Sequence, residues 1–232
     1  EVAGIEQVTA DFRARDTGEL RVATTHTQAR YVLPAVIGEF RRRYPAVRLT
    51  LLQGSPKQIT DLVLERQADF AIATEVPEDQ DDLLAIPSYD WEHVVLVPAK
   101  HPLAGQTPVL QALVKYPLIT YVEEFAGRRR IDRAFADAGL KPDIVLAAVD
   151  SDVIKTYVSV GLGVGIMADL GYDAAQDKGL VAMSAGALFG TNRVKLAVRR
   201  DAFLRGFALS FIELFAPEVD PRTLERLMHR QK

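Results

Sequence analysis

Apolar positions along the first third of the chain switch between two spacings in a regular order. A nearly continuous apolar run, Leu20 to Ala23, predicts a strand, and Leu33, Val36, Ile37, Phe40 and Tyr44 then recur at the 3.6-residue spacing of a helix. Val47 to Leu52 reads as a second strand. The stretch Ser55-Pro56-Lys57-Gln58 predicts a helix start, with Ser55 and Gln58 in the capping-box relation and proline at the first helical position. Ile59, Leu62 and Val63 form the apolar face of that helix. Phe70 to Thr74 is a third strand, apolar as a buried parallel strand is. This strand–helix alternation predicts an open parallel sheet with right-handed crossovers.

The same alternation continues. Strands are expected at Leu83 to Pro87, Trp91 to Val97, Leu118 to Tyr121, Ile144 to Ala148, Val164 to Met167 and Arg193 to Val198. Helices are expected at Leu110 to Val114, Gly127 to Ala138 and Asp152 to Val160, the last capped by Asp150-Ser151. Phe203, Phe207, Phe211, Ile212 and Phe215 line a final helix ending at Pro217, and residues 168 to 191 read as turns. Gly161-Leu162-Gly163-Val164-Gly165 follows a helix and opens a strand, the reverse of a dinucleotide-binding loop, and reads as a C-cap and turn. The predicted fold is α/β with two lobes, each a mostly parallel sheet with flanking helices. Residues 17–90 form the first part of lobe I, 91–192 lobe II, and 193–232 return the chain to lobe I. Residues 1–16 carry a short helical stripe (Val2, Ile5, Val8, Phe12), read either as the end of a linker helix or as a short helix packed on its own domain. Two crossings between lobes imply a hinge and a cleft.

Candidate chemistry gathers where the first strand gives way to the first helix. Thr24, Thr25, Thr27 and Gln28 crowd that junction with side-chain donors. Unpaired N–H groups and the positive end of a helix dipole stabilise an anion there without a nearby Lys or Arg. Capping by Thr25 or Thr27 is the plainer alternative. Pro34 either starts the regular helix close to Leu33 or kinks a helix begun at Gln28. A hydroxyl stands at the carboxyl end of each of the first three strands, Thr25, Ser55 and Thr74, the edge of an open α/β sheet where ligands bind. Trp91, the single tryptophan, either fills a core or walls the cleft. The three arginines 128 to 130 point in different directions around their helix and read as solvated, with Arg128 able to reach a cleft.

Composition narrows the classes. Twenty-eight basic against thirty-one acidic residues give a net charge of −3, so no general attraction to a nucleic acid backbone exists. With no cysteine there is no disulfide framework or thiolate site, in agreement with a cytoplasmic address. No segment has the length of apolar residues a membrane helix needs, and the four histidines show no metal-binding spacing. The acidic run from Glu78 to Asp82 reads as a solvated loop. No nucleophile elbow, phosphate loop or paired carboxylates stand out, so the chain is expected to be a binding module and not an enzyme, with no cofactor. It lacks an initiator Met, which points to a fragment or a processed product.

Five motifs carry a resemblance. They are Ala23-Thr24-Thr25-His26-Thr27-Gln28-Ala29-Arg30-Tyr31, Gln53-Gly54-Ser55-Pro56, residues 68 to 75 (ADFAIATE), residues 152 to 158 (DVIKTYV), and the glycine run 161 to 165. From about residue 1 to about 217 the chain resembles the CysB and Cbl branch of the LysR-type transcriptional regulators. The resemblance implies the end of a linker helix and a two-lobed effector domain like a periplasmic binding protein, with the DNA-reading winged helix-turn-helix absent. It implies control of sulfur assimilation or sulfonate use, and an effector of the sulfate, thiosulfate, adenosine phosphosulfate or acetylserine type. It further implies DNA binding only through the missing N-terminal domain, and a homodimer of this fragment that becomes a homotetramer at full length. By match, Thr25, Thr27 and Gln28 would donate to the effector from the first helix and Thr74 from the third strand, with Ser55 on the same edge and Trp91 flanking the cleft. Where relatives carry Phe-Thr-Gly, this chain has Phe125-Ala126-Gly127, which removes a hydroxyl of lobe II and implies a different or weaker effector than sulfate. The alternative is a free-standing solute-binding protein for a small oxyanion.

Overall fold

A computed structural model describes residues 16–76 and 80–220; the predicted stripe at residues 2 to 12 and Glu78-Asp79 of the acidic run lie outside them. The chain divides into two compact units, one of residues 1–89 with 194–232, the other of 90–193.

The first unit opens with β1 (Gly18–Thr24), a helical segment containing a π-turn at Gln28–Val32, and α1 (Leu33–Arg43). Then come β2 (Val47–Gln53), α2 (Pro56–Leu64) and β3 (Phe70–Ala73). β1 lies between β2 and β3 and is parallel to both, the parallel pairing that the alternation of periods predicts. Period-2 geometry sorts the strand residues onto two faces. Ala71 and Ala73 join Ile59 and Val63 of α2 in one core. Phe70 faces the other way and stacks on Phe211, with ring centroids 5.7 Å apart, while Phe40 of α1 meets Phe211 edge-on at 5.5 Å. α2 starts where the capping box predicts: the Gln58 N–H donates to Ser55 Oγ, and the Gln58 amide oxygen accepts the Ser55 N–H at 2.9 Å.

The second unit is entered through β4 (Leu83–Pro98), one strand of 16 residues where the sequence reads as two. Pro87 is exposed and lies outside the stretch from His93 to Pro98 that pairs with its neighbours, so its missing N–H breaks no ladder there. α3 (Leu110–Leu113), β5 (Pro117–Tyr121), α4 (Ala126–Asp137), β6 (Asp143–Ala148), α5 (Ser151–Ser159) and β7 (Val164–Ala168) come next. The expected turn-rich segment contains a strand, β8 (Leu180–Ser184), and a one-turn helix, α6 (Gly186–Phe189). β9 (Thr191–Arg199) carries the chain back to the first unit, where it pairs antiparallel with β3, and α7 (Gly206–Phe215) closes it. Phe203 precedes α7 and is 49% exposed, so it is no part of the apolar stripe expected there.

In the second unit β5 is parallel to β6 and β7, while β4 is antiparallel to β7 and β8. Val95 and Val97 face the core of Ile131 and Phe135 from α4, and Val94 and Leu96 face that of Ile154 and Val158 from α5. The glycine run serves this packing. Gly161 (φ +81°) ends α5, the Leu162 N–H reaching back to the Tyr157 carbonyl at 3.0 Å. A Cβ on Gly165 would lie 2.8 Å from Val158, so its absence lets α5 settle on β7. Arg128 corrects the solvated reading of the three arginines: it is 8% exposed, donating to the Tyr121 carbonyl and to Asp132 Oδ1, each at 2.8 Å.

His93 of β4 is fully buried between Trp91 and Phe189, with ring centroids 4.9 and 5.3 Å away, and neither ring nitrogen has a hydrogen-bond partner among the described residues. Burial lowers its pKa from 6.5 to about 4, opposed in part by the nearby Gly127 backbone and helped by the charge of Arg130. The unfolded chain takes up this proton near pH 6.5 and the folded chain does not, so stability is full above that value and lost as the pH falls toward about 4. Denaturant unfolding at pH 7.5 and 5 is expected to show the parent chain losing roughly 2 kcal/mol more than His93→Leu over this interval. Equal losses would mean that the proton is accommodated in the fold.

Candidate functional site

β1 is hydrogen-bonded on both edges, and its ladders end together. Thr24 stands level with Gln53 of β2 and with Ile72 of β3. One residue on, the Gly54 N–H donates to the Thr24 carbonyl at 3.3 Å and the Thr25 N–H to the Ile72 carbonyl at 3.4 Å. The Thr24 hydroxyl, fully buried, donates to the Ile72 carbonyl at 3.1 Å. Thr24 thus ties β1 to β3, which reduces the four donors expected at the junction to three.

Thr25 is the backbone cap of the helical segment, since its carbonyl accepts the N–H of Ala29 at 3.1 Å. The N–H groups of His26, Thr27 and Gln28 then have no preceding helical turn to bond. A capping hydroxyl would take one of them, yet among the described residues neither the Thr25 nor the Thr27 hydroxyl has a hydrogen-bond partner. Capping therefore does not account for either threonine. Pro34 shapes the next turn in both of the ways its position allows. It lacks an N–H for the Arg30 carbonyl; the Leu33 N–H reaches back five residues to the Gln28 carbonyl, and regular α-helix starts at Leu33.

Gln28 is 3% exposed, and its amide oxygen accepts a hydrogen bond from the Tyr89 hydroxyl. That bond leaves the amide NH2 as the free end. Burial pushes the Tyr89 pKa far up, so the phenol stays protonated and continues to donate. Tyr89 lies 61 residues from Gln28 and no local pattern marks it. Ser55 lies past the end of β2, its oxygen occupied by the α2 cap while its O–H remains a donor, and half-buried Thr74 follows β3. Thr25, Thr27, Gln28, Ser55 and Thr74 therefore all belong to the carboxyl edge of the first unit's sheet. Trp91 belongs to the second unit, 7% exposed against His93; Ala126, the first residue of α4, belongs there too.

The edge offers hydroxyl, amide and backbone N–H donors with no formal charge. Such a set suits a small oxyanion that carries no proton at neutral pH and needs only to accept hydrogen bonds.

A profile of the LysR substrate binding domain matches residues 13–220. The chain is 48% identical to the HTH-type transcriptional regulator CysB of Burkholderia cenocepacia over 229 residues, covering 98% of this chain and 73% of that protein. It is 45% identical to the HTH-type transcriptional regulator SsuR of the same organism, covering 97% and 73% of the two chains. Among solved structures, the cofactor-binding domain of the Cbl transcriptional regulator matches with a TM-score of 0.87 and 43% identity, over 92% of this chain and 94% of that one. A matching family profile over nearly the whole chain, the identities and the shared α/β fold agree: the chain belongs to the LysR-type regulators, as an effector-binding domain related to CysB, SsuR and Cbl.

Proposed function

We propose that this domain senses a small anionic effector of sulfur metabolism, of the sulfate, adenosine phosphosulfate or acetylserine type, and that Thr25, Thr27 and Gln28 receive it, with Ser55 and Thr74 beside them. The observation that carries this reading is the pair of threonine hydroxyls at a helix start that have no partner among the described residues, next to a glutamine whose amide oxygen is held by Tyr89. Effector binding then governs transcription of sulfur genes through the DNA-reading domain of the full-length protein. A free-standing solute receptor would share the donors, but the relatives are named as HTH-type regulators, which favours the regulatory reading.

A homodimer is part of this proposal. Val153 and Tyr157 of α5, with Val149 before the helix and Val160 just after it, are 36%, 41%, 57% and 72% exposed and recur every three or four residues, an apolar strip along and beyond α5. β6, next to it, ends the sheet and presents Val145 at 45% exposure. Tyr157→Asp with Val153→Asp is expected to shift the sedimentation profile toward monomer, leaving the circular dichroism spectrum unchanged. A dimer that persists in the double variant would move the interface elsewhere.

The effector itself is tested by calorimetric titration with sulfate, adenosine phosphosulfate and acetylserine in turn. Saturable binding of at least one is expected. Thr25→Ala should weaken it by about tenfold to a hundredfold, the worth of one hydrogen bond to a charged group. Because the Thr25 hydroxyl bonds nothing in the described fold, the same change should alter unfolding free energy by less than about 1 kcal/mol. Undiminished binding in Thr25→Ala would refute the proposed site, and unfolding of the variant would make this threonine structural.

A further inference from the structure

One face of α4, from Ala126 to Asp137, and the short helix α6 border a groove of about 370 Å³ that lies wholly within the second unit. Its walls are Arg129, Arg130 and Arg133, and its floor is Ala134, Leu188 and Phe189. Asp137 is the acidic group on its rim. The volume falls within the range of small-molecule sites.

The three arginines are not explained by the fold as Arg128 is. Arg128 turns inward and is fixed by Tyr121 and Asp132. Arg129 gives one hydrogen bond, to the Glu124 carbonyl at 2.9 Å, and keeps its remaining donors. Arg130 and Arg133 have no hydrogen bond or ion pair among the described residues. Their spacing sets positions 129 and 133 one turn apart and 130 and 133 three apart, so the charges repel along one face of the helix. General basicity does not account for them in a chain of net charge −3. Room is also made for one of them: a Cβ on Gly190, which has φ +70°, would lie 3.2 Å from Arg130 Nη1. The charge of Arg130 is felt beneath the floor, where it contributes to keeping His93 neutral.

We infer that this groove is a second ligand site, for a small organic anion with a phosphate or carboxylate head and an apolar body. Guanidinium groups pair with such heads through two parallel hydrogen bonds, whereas the neutral threonine edge of the first unit suits a bare oxyanion. The apolar floor gives the body of the ligand a surface to cover, which an inorganic ion would leave unused. Occupation also relieves the repulsion among the arginines.

The test uses this chain and two probes, phenyl phosphate and inorganic phosphate, followed by calorimetry at low salt. Phenyl phosphate is expected to bind saturably with a dissociation constant of about a millimolar or below, and inorganic phosphate several-fold more weakly. Arg130→Gln with Arg133→Gln should raise the constant for phenyl phosphate by about tenfold or more, while Arg130→Lys with Arg133→Lys should leave an intermediate affinity. Both side chains are exposed, so the variants are expected to fold, and an unchanged circular dichroism spectrum is the check. Thr25→Ala should leave phenyl phosphate binding unchanged. The inference is overturned if phenyl phosphate does not saturate, if the double glutamine variant binds as the parent does, or if Thr25→Ala abolishes the binding.

Discussion

A strand paired on both edges must end both ladders within a residue or two, and the backbone beyond it must find other partners. β1 is in that position between β2 and β3, and its ladders stop at Thr24 and Thr25. The next helix opens with three N–H groups facing no earlier turn, beside threonine hydroxyls that bond nothing among the described residues. Everything proposed for the first unit depends on that discontinuity. Its donors are held by the sheet, so they need no rearrangement to meet an anion, and they are neutral, so they demand no counter-charge when the site is empty.

Order around the junction comes from two groups remote in sequence and one close by. Thr24 bonds across to β3, Tyr89 holds the Gln28 amide, and Pro34 converts the next turn to π geometry. Behind them, Phe40, Phe70 and Phe211 hold α1 and α7 on the sheet. The second unit achieves its close packing with glycine instead: Gly165 removes a Cβ between β7 and α5, and Gly161 turns the chain between them.

The two units treat positive charge in opposite ways. On the first, neutral donors and a helix start face a candidate oxyanion. On the second, three arginines line an apolar-floored groove while a fourth is sequestered by a carbonyl and a carboxylate. An effector-binding domain with two chemically distinct surfaces of this kind has the means to respond to two classes of anion, since each surface carries its own selectivity.

Periodicity alone was enough for the α/β alternation, for the extents of the first three strands and for the start of α2, because each rests on residues within a few positions of one another. Ser55 and Gln58 form their capping box as neighbours, and Phe70 to Ala73 is buried on both faces as an unbroken apolar run must be. The glycine run was legible as a turn for the same reason. Local pattern could not join Leu83–Pro87 to Trp91–Val97, since whether Pro87 interrupts a strand depends on which edge has a neighbour. Nor could it show that Arg128 is buried against a carbonyl and a carboxylate, or separate Thr24 from Thr25. Adjacent residues of one type part company when the fold sends one side chain inward to a carbonyl 48 residues away and gives the next no partner among the described residues. Which polar groups remain unsatisfied is a property of the whole fold, because every other group must first have found its partner. That decision, and the held orientation of Gln28 by Tyr89, belonged to the tertiary structure.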